Sequence, residues 1–320
     1  MTLDSFWLAL TPLQQPLLAL GVLLFSRFAP LPASYQPWGF VKAVVFGLRR
    51  KVVNAENGAT QQVLAGSLAV LVVLLPVLLL LIAFAELSAW PEFFGAFLLY
   101  LSLDWQTQHR QLQAVAQSLD KQQLSLAKDQ LAPLVLRKTA NLSQQGIAKA
   151  ALDTLALRLS KHWFAVLFWY MVGGGIVAFG YRLVLEMQQQ WNPKLSTQRD
   201  FGTFISRFET LCSLIPSLFH ALLLALWVNL GNTWIYFKSS SDRHLPWASR
   251  WVLSAWAAAL QCNLAGPLYY EDAKINRVRI GHAQQPSAAH LARALRISLQ
   301  LQRLTVFLIV SFIALKFAAL

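Results

Sequence analysis

The chain has 320 residues, of which 56% are hydrophobic and only 13% charged, with a formal net charge of +13. Soluble domains carry about 25% charged residues, and one soluble core of this size cannot bury so much apolar surface. These proportions exclude an ordinary soluble domain. Because the apolar residues also occur in long runs, the sequence predicts an integral membrane protein with several helices.

Seven apolar stretches predict an all-α, polytopic membrane bundle of about five to seven apolar helices. Six of the stretches predict membrane helices: residues 7–25, 63–84, 93–103, 163–185, 211–237 and 304–320. The seventh, residues 247–264, contains Arg250 and several small residues. We interpret it as a buried or re-entrant helix, because this assignment lets the basic loops on either side of it stay on the same side of the membrane.

A less apolar segment, residues 104–160, predicts a soluble helical insertion within a single membrane domain that covers residues 1–320. Leu112, Val115 and Leu119 recur at helical spacing, with polar residues between them. A second helix is predicted over residues 143–160, with Ser143 near its start. The chain shows no strand signals.

The positive charge is explained by membrane topology without nucleic acid, because basic residues collect in loops that stay in the cytoplasm. The loop that holds Arg49, Arg50 and Lys51 is therefore expected to be cytoplasmic, with the N-terminus outside. Cys212 and Cys262 lie in or beside apolar segments, so free thiols are expected.

The usual short motifs of catalysis are missing from the sequence. It contains no Cys-x-x-Cys, no phosphate-binding Gly-x-x-x-x-Gly-Lys-[Ser/Thr] and no pair of helical histidines at metal-binding spacing. The most informative polar residues are Asp200, Arg207 and Glu209, together with residues 266–272. Two interpretations stay open for them: they anchor helices at the membrane edge, or they hold a metal-bound phosphate.

Four pieces of residues 130–285 resemble one family. They are Arg137, Thr139 and Leu142 with Ala150 and Asp153–Ala156; Leu167–Tyr170 with Gly173, Gly174, Tyr181 and Arg182; Asp200–Gly202 with Arg207, Glu209 and Pro216; and Ala265–Tyr270 with Arg279–Gly281. In this order and spacing they resemble the CobD/CbiB membrane proteins of cobalamin biosynthesis. This resemblance implies a multi-pass protein of the bacterial inner (plasma) membrane. For true synthases it also implies a ligase that uses ATP and Mg²⁺ to join adenosylcobyric acid to aminopropanol phosphate or to the free amino alcohol.

The same resemblance suggests the site residues, and the positions at which this chain departs from the family's pattern suggest impaired activity. The expected catalytic residues are Asp153, Asp200, Arg207 and Glu209; the expected ligand-binding residues are Arg182, His244, Gly266, Pro267 and Tyr270. The acids would hold Mg²⁺ or orient phosphate, Arg207 would neutralise phosphate, and Tyr270 would donate a hydrogen bond. However, several of the family's acidic positions hold other residues here, and Lys138 and Lys161 stand at two of them. A lysine repels the metal that a carboxylate would bind, so a poor synthase is expected.

Two other functions stay open on the sequence alone. One is a non-catalytic membrane regulator similar to the AmpE proteins, which also resemble the chain around residues 168–174. The other is a transporter or lipid-binding scaffold with Arg182 and His220 inside the membrane. The expected partners are the lipid bilayer, a corrinoid intermediate and a second copy of the chain.

Overall fold

The computed structural model describes residues 3–53, 58–241, 245–270 and 273–318, with side chains from residue 13 onward except at positions 33, 196, 269, 270, 273 and 274. Helices dominate these ranges: α1 (Leu3–Phe28), α2 (Trp38–Val52), α3 (Ala59–Leu87), α4 (Pro91–Ser102), α5 (Trp105–Asp120), α6 (Leu124–Leu131), α7 (Gln144–Leu159), α8 (Ala165–Gln190), α9 (Thr203–Val228), α10 (Leu230–Ser239), α11 (Trp247–Leu260) and α12 (Ala288–Ala318). Four short strands lie between α11 and α12: β1 (Asn263–Ala265), β2 (Leu268–Tyr270), β3 (Ala273–Ile275) and β4 (Arg279–Gly281).

The predicted helical membrane bundle is confirmed. Within the described residues, four helical stretches are long and apolar enough to cross a membrane: Ala59–Leu87, Gln144–Gln190, Thr203–Val228 and Ala288–Ala318. The second of these combines α7, a π-helical turn at Ser160–Phe164 and α8. Leu68, Leu75 and Leu79 of α3 are exposed. Exposing such apolar surface to water would cost about 25 cal/mol of free energy per Å², whereas contact with lipid carries no such cost.

Two sequence predictions about these elements are wrong. The apolar stretch 211–237 is two helices, because Asn229 adopts an extended conformation and its side chain accepts a hydrogen bond from the Asn232 N–H at 2.9 Å, which starts α10. The expected absence of strands fails between α11 and α12. Each of the four strands has three residues, which is too short to show an alternating pattern.

Two predicted helices lie where the sequence placed them. The Ser143 side chain accepts a hydrogen bond from the Gly146 N–H at 3.2 Å and caps α7, as expected. The stretch 247–264 contains α11, which has 14 residues and is buried over its last nine residues. The placement of residues 104–160 in water stays a prediction.

The chain folds into two compact units, and unit 1 consists of residues 1–104, 166–209 and 302–320. Its core is aromatic: the rings of Trp38 and Phe179 lie 5.0 Å apart, and those of Trp191 and Phe201 5.2 Å apart. Each buried indole donates to a backbone carbonyl, Trp38 to Leu101 at 2.9 Å and Trp191 to Val45 at 3.0 Å. The indole groups are therefore buried without an unpaired donor.

Backbone contact between two glycines brings α4 and α8 together in unit 1. A Cβ built on Gly175 would lie 2.1 Å from the carbonyl oxygen of Gly95 and 2.4 Å from its Cα. Small residues allow membrane helices to approach this closely.

Replacing Gly175 with alanine should therefore force α4 away from α8, because neither backbone can yield as a flexible side chain could. We expect a loss of about 3 kcal/mol in unfolding free energy, measured as a lower melting temperature in detergent. Gly21→Ala is the matched control, since no atom lies within 4 Å of its added Cβ. Equal melting temperatures for the two variants would contradict the close contact.

Unit 2 consists of residues 105–165 and 210–301. Helix α7 is its central element, with both α5 and α11 packed against it. The strands form two nested antiparallel pairs, in which β1 pairs with β4 and β2 pairs with β3. Ala265 stands opposite Arg279 in the outer pair and Leu268 opposite Ile275 in the inner pair, so the described parts of residues 266–278 form a hairpin.

Candidate functional site

A left-handed turn at the end of β1 starts the candidate site in unit 2. Ala265 has φ 55° and Gly266 has φ 88°, a region that favours glycine. The Gly266 N–H donates to the Val278 carbonyl at 3.2 Å, which ties the turn to the segment before β4. Pro267 follows as an exposed residue. The Gly-Pro pair thus sets the direction in which the chain continues from β1 into the hairpin.

Asp153 of α7 holds this turn in place. Its Oδ1 accepts a hydrogen bond from the Ala265 N–H at 2.9 Å. Its Oδ2 pairs with Arg277 at 3.7 Å and with Arg137 at 3.9 Å. The carboxylate therefore connects three segments that are distant in sequence.

Lys149 adds a further positive charge, one helical turn before Asp153 on the same face of α7. A Cβ on Gly266 would lie 2.4 Å from the Lys149 Nζ and 2.9 Å from the Arg279 Cγ. Both basic side chains thus reach the Gly266 backbone. We call Arg137, Lys149, Asp153, Arg277 and Arg279 the basic cluster.

The charge of the basic cluster favours an anion. Its four basic residues and one carboxylate leave a formal excess of three positive charges among the described residues. The Arg277 side chain is 7% exposed, and its Nε lacks a hydrogen-bond partner within the described part of the chain. Phosphate and carboxylate groups match the forked geometry of arginine.

Mg²⁺ does not fit the same cluster. This metal prefers several oxygen ligands, usually carboxylates and waters. Among the described residues of the cluster Asp153 is the one carboxylate, and two arginines and a backbone N–H engage it. Across the described ranges, no group of three His, Cys, Asp or Glu side chains could hold a metal ion.

Replacing Gly266 with alanine tests the close approach of the two basic side chains. A positive φ costs a non-glycine residue about 1–2 kcal/mol, and the added Cβ must also displace the Lys149 Nζ. We expect a matching fall in unfolding free energy, measured by thermal unfolding in detergent. Gly47→Ala, in an open helical position, should keep or slightly raise the melting temperature. If Gly266→Ala left the melting temperature unchanged, the close approach of Lys149 and Arg279 to the Gly266 backbone would be contradicted.

The other site residues expected from sequence are distributed between the two units. The structure places Asp153, Gly266 and Pro267 in one cluster of unit 2, whereas Asp200, Arg207 and Glu209 belong to unit 1. Asp200 is half-buried, Arg207 is exposed and Glu209 is buried. His244 lies outside the described residues. Tyr270 has a described backbone in β2 but no described side chain.

Arg182 lies in a buried, neutral ion network of unit 1. Its guanidinium group pairs with Glu186 at 2.5 Å and with Asp104 at 2.8 Å, and it stacks over the Trp38 ring at 4.6 Å. Lys42 reaches the other Glu186 oxygen at 3.7 Å. The two basic and two acidic groups balance in formal charge among the described residues.

His220 is fully buried in unit 2 and stacks on Phe164 with ring centroids 4.5 Å apart. The Trp256 ring meets it edge-on at 6.2 Å. Aromatic rings thus pack against His220, while neither of its ring nitrogens has a hydrogen-bond partner among the described residues.

Sequence reasoning missed Lys149 and Arg277 as site residues and used Arg137 and Arg279 only as family matches. Their segments are far apart in sequence, and only the packing of the hairpin on α7 brings them together. One signal was available: Lys149 and Asp153 are four residues apart, and such residues are neighbours on a helix surface.

Cys262 lies beside the basic cluster as a free, buried thiol. Burial raises its pKa to about 12, with a smaller rise from Asp153 and an opposing effect of Arg293. The thiol should therefore stay protonated at pH 8 and unreactive, since the thiolate is the nucleophile. Maleimide labelling read by peptide mass should modify Cys262 only after unfolding. Rapid labelling of the folded protein would contradict this.

Comparisons with known proteins place these observations in a family. The family model described as CobD/Cbib protein matches residues 18–298. A cobalamin biosynthesis protein CobD from Chromobacterium violaceum is 26% identical over 278 residues, which cover 86% of this chain and 89% of that protein. The CobD of Stutzerimonas stutzeri is 30% identical over 62% of this chain and 65% of its own length. The CobD of Rhodobacter capsulatus is 29% identical over 66% of this chain and 68% of its own length. No solved structure matches the chain.

Proposed function

Because the chain belongs to the CobD/CbiB family, we propose that it serves cobalamin biosynthesis in the bacterial inner membrane by binding a phosphorylated intermediate at its basic cluster. The observation that carries this proposal is the excess of positive charge around Asp153 among the described residues, beside a glycine that lets the Lys149 and Arg279 side chains approach the backbone closely. A phosphate monoester carries a charge of about −1.5 to −2 at neutral pH. Such a group would match this excess.

The proposed reaction is the ligation that the family resemblance implies. In that reaction the amine nitrogen of aminopropanol phosphate bonds to a carboxyl carbon of adenosylcobyric acid. The displaced carboxyl oxygen leaves on the phosphate released from ATP, with ADP as the other product. Lys149 and Arg277 would bind and orient a phosphate group, and Asp153 would keep the hairpin in position for them.

We further propose that ligation is weak in this chain. Electrostatic stabilisation of phosphate transfer usually relies on Mg²⁺ as well as on cationic side chains. The described residues offer no metal-binding group of acids, so the proposal assigns no resident metal. The proposed function is therefore the binding of a phosphorylated intermediate, with slow turnover.

The test is a binding and ligation assay on the purified protein in detergent. Adenosylcobyric acid and aminopropanol phosphate are titrated separately, and amide formation with ATP and Mg²⁺ is then followed by mass spectrometry. Binding with slow ligation is the expected result. Ligation at a rate typical of biosynthetic enzymes, roughly 1–10³ s⁻¹, would contradict the impairment. If neither compound binds, the cobalamin assignment fails and a regulatory role similar to AmpE proteins gains support.

A further inference from the structure

Helix α2 of unit 1 has one buried side and one exposed side. Its buried side is apolar, with Trp38 and Val45 in the core and Val41, Leu48 and Val52 packed against it. The helix has 15 residues, which gives a length of about 22 Å at 1.5 Å per residue. It is therefore too short to cross a hydrocarbon core of about 30 Å.

The exposed side of α2 carries an apolar strip that ends in a positive charge. Phe40 and Val44 are 76% and 44% exposed, and no atom lies within 4 Å of a Cβ built on Gly47. Lys51 is also exposed. Because these four residues are spaced at i, i+4, i+7 and i+11, they share one face of the helix. We call Phe40, Val44, Gly47 and Lys51 the outer face of α2.

The last turn of α2 is strongly basic. It contains Arg49, Arg50 and Lys51, and the helix has no acidic residue. Arg49 stacks over the Phe46 ring at 5.3 Å, whereas Arg50 and Lys51 are exposed. None of the three basic residues pairs with an acid within the described ranges. The C-terminal end of a helix contributes about −0.5 charge, which offsets only a small part of this positive charge.

An apolar strip that leads into a basic end fits an anionic phospholipid. The phosphate of such a lipid would meet Arg50 and Lys51, while an acyl chain would cover Phe40 and Val44. Basic side chains near a bilayer attract anionic headgroups, and their apolar stems can lie along lipid chains. A soluble anion would use the basic end alone and leave the apolar strip uncovered.

We propose that the outer face of α2 binds an anionic phospholipid of the bilayer, such as phosphatidylglycerol. Arg50 and Lys51 bind the headgroup phosphate, and Gly47 leaves room for the glycerol backbone. The acyl chain packs on Phe40 and Val44. This surface belongs to unit 1 and shares no residue with the basic cluster, so it does not depend on the proposed function.

Native mass spectrometry of the full chain, released from nanodiscs of phosphatidylglycerol and phosphatidylcholine, measures which lipid is retained. The double variant Arg50→Gln and Lys51→Gln removes both exposed charges of the basic end. Its matched control is Arg110→Gln with Lys121→Gln, which removes two exposed basic residues of unit 2.

A second pair of variants tests the apolar part of the outer face. Phe40→Ser removes the ring that would contact the acyl chain. Phe307→Ser is its matched control, because Phe307 of α12 is a 64% exposed phenylalanine in the same unit.

The wild type should retain phosphatidylglycerol in preference to phosphatidylcholine. Loss of Arg50 and Lys51 should weaken this retention about ten-fold or more, since each basic side chain near an anionic surface strengthens binding roughly five-fold. Phe40→Ser should weaken it several-fold, and both controls should match the wild type. The proposal is overturned if the wild type retains the two lipids equally, or if either test variant retains phosphatidylglycerol as well as its control.

Discussion

Replacing Asp153 with asparagine should lower the free energy of unfolding by about 2–4 kcal/mol. Asparagine still accepts the hydrogen bond from Ala265 but loses the charge that offsets Arg137 and Arg277. The side chains of these arginines are only 12% and 7% exposed, so water screens the lost interaction weakly. Thermal unfolding in detergent measures the change.

The same variant should gain more stability from inorganic phosphate than the wild type. Its cluster has a formal excess of four positive charges where the wild type has three, and a ligand that binds only the folded state stabilises it in proportion to its affinity. Asp129→Asn, at an exposed position of α6, should match the wild type in both measurements. If phosphate raised the melting temperatures of all three proteins equally, the cluster would not be an anion site.

Replacing Arg182 with methionine should be the most damaging change in unit 1, with a loss of about 3–5 kcal/mol. Methionine fills similar space but leaves the Asp104 and Glu186 carboxylates without their shared partner. Their side chains are 13% and 1% exposed, so neither can be solvated easily. A fall of roughly 10 °C in melting temperature is expected.

A variant with neutral side chains at all three positions of the Arg182 network separates the effect of unpaired charge on stability from the effect of altered packing. In the triple variant that adds Asp104→Asn and Glu186→Gln to Arg182→Met, no unpaired carboxylate remains, and much of the stability should return. Arg207→Met removes an exposed arginine of α9 and should change little. Full stability of the single Arg182→Met variant would show that the ion pairs contribute nothing.

The class of the protein was predictable because it depends on composition and on the lengths of apolar runs. The helix after Ser143 was also predictable, since its cap and its apolar spacing are local features. The division of residues 211–237 at Asn229 was not. A single asparagine inside an apolar run can face a neighbouring helix, and only its backbone conformation identifies it as a cap.

The candidate site was predictable only in part. The resemblance to the family singled out Asp153, Gly266 and Pro267, which the structure brings together. The partners Lys149 and Arg277 depend on how the hairpin folds back onto α7, and no local pattern encodes that contact. Arg182 inside an apolar run suggested a ligand site, whereas its neutralisation by Asp104 is a tertiary contact across 78 positions of sequence.

The most direct test of the basic cluster is isothermal titration of aminopropanol phosphate into the wild type, Arg277→Gln and Arg110→Gln. Arg110 is an exposed arginine of α5 in the same unit and serves as the matched control. We predict saturable binding to the wild type and to Arg110→Gln, and binding at least about ten-fold weaker to Arg277→Gln. Equal affinities for all three proteins, or no binding to any, would contradict the assignment of this cluster as the phosphate site.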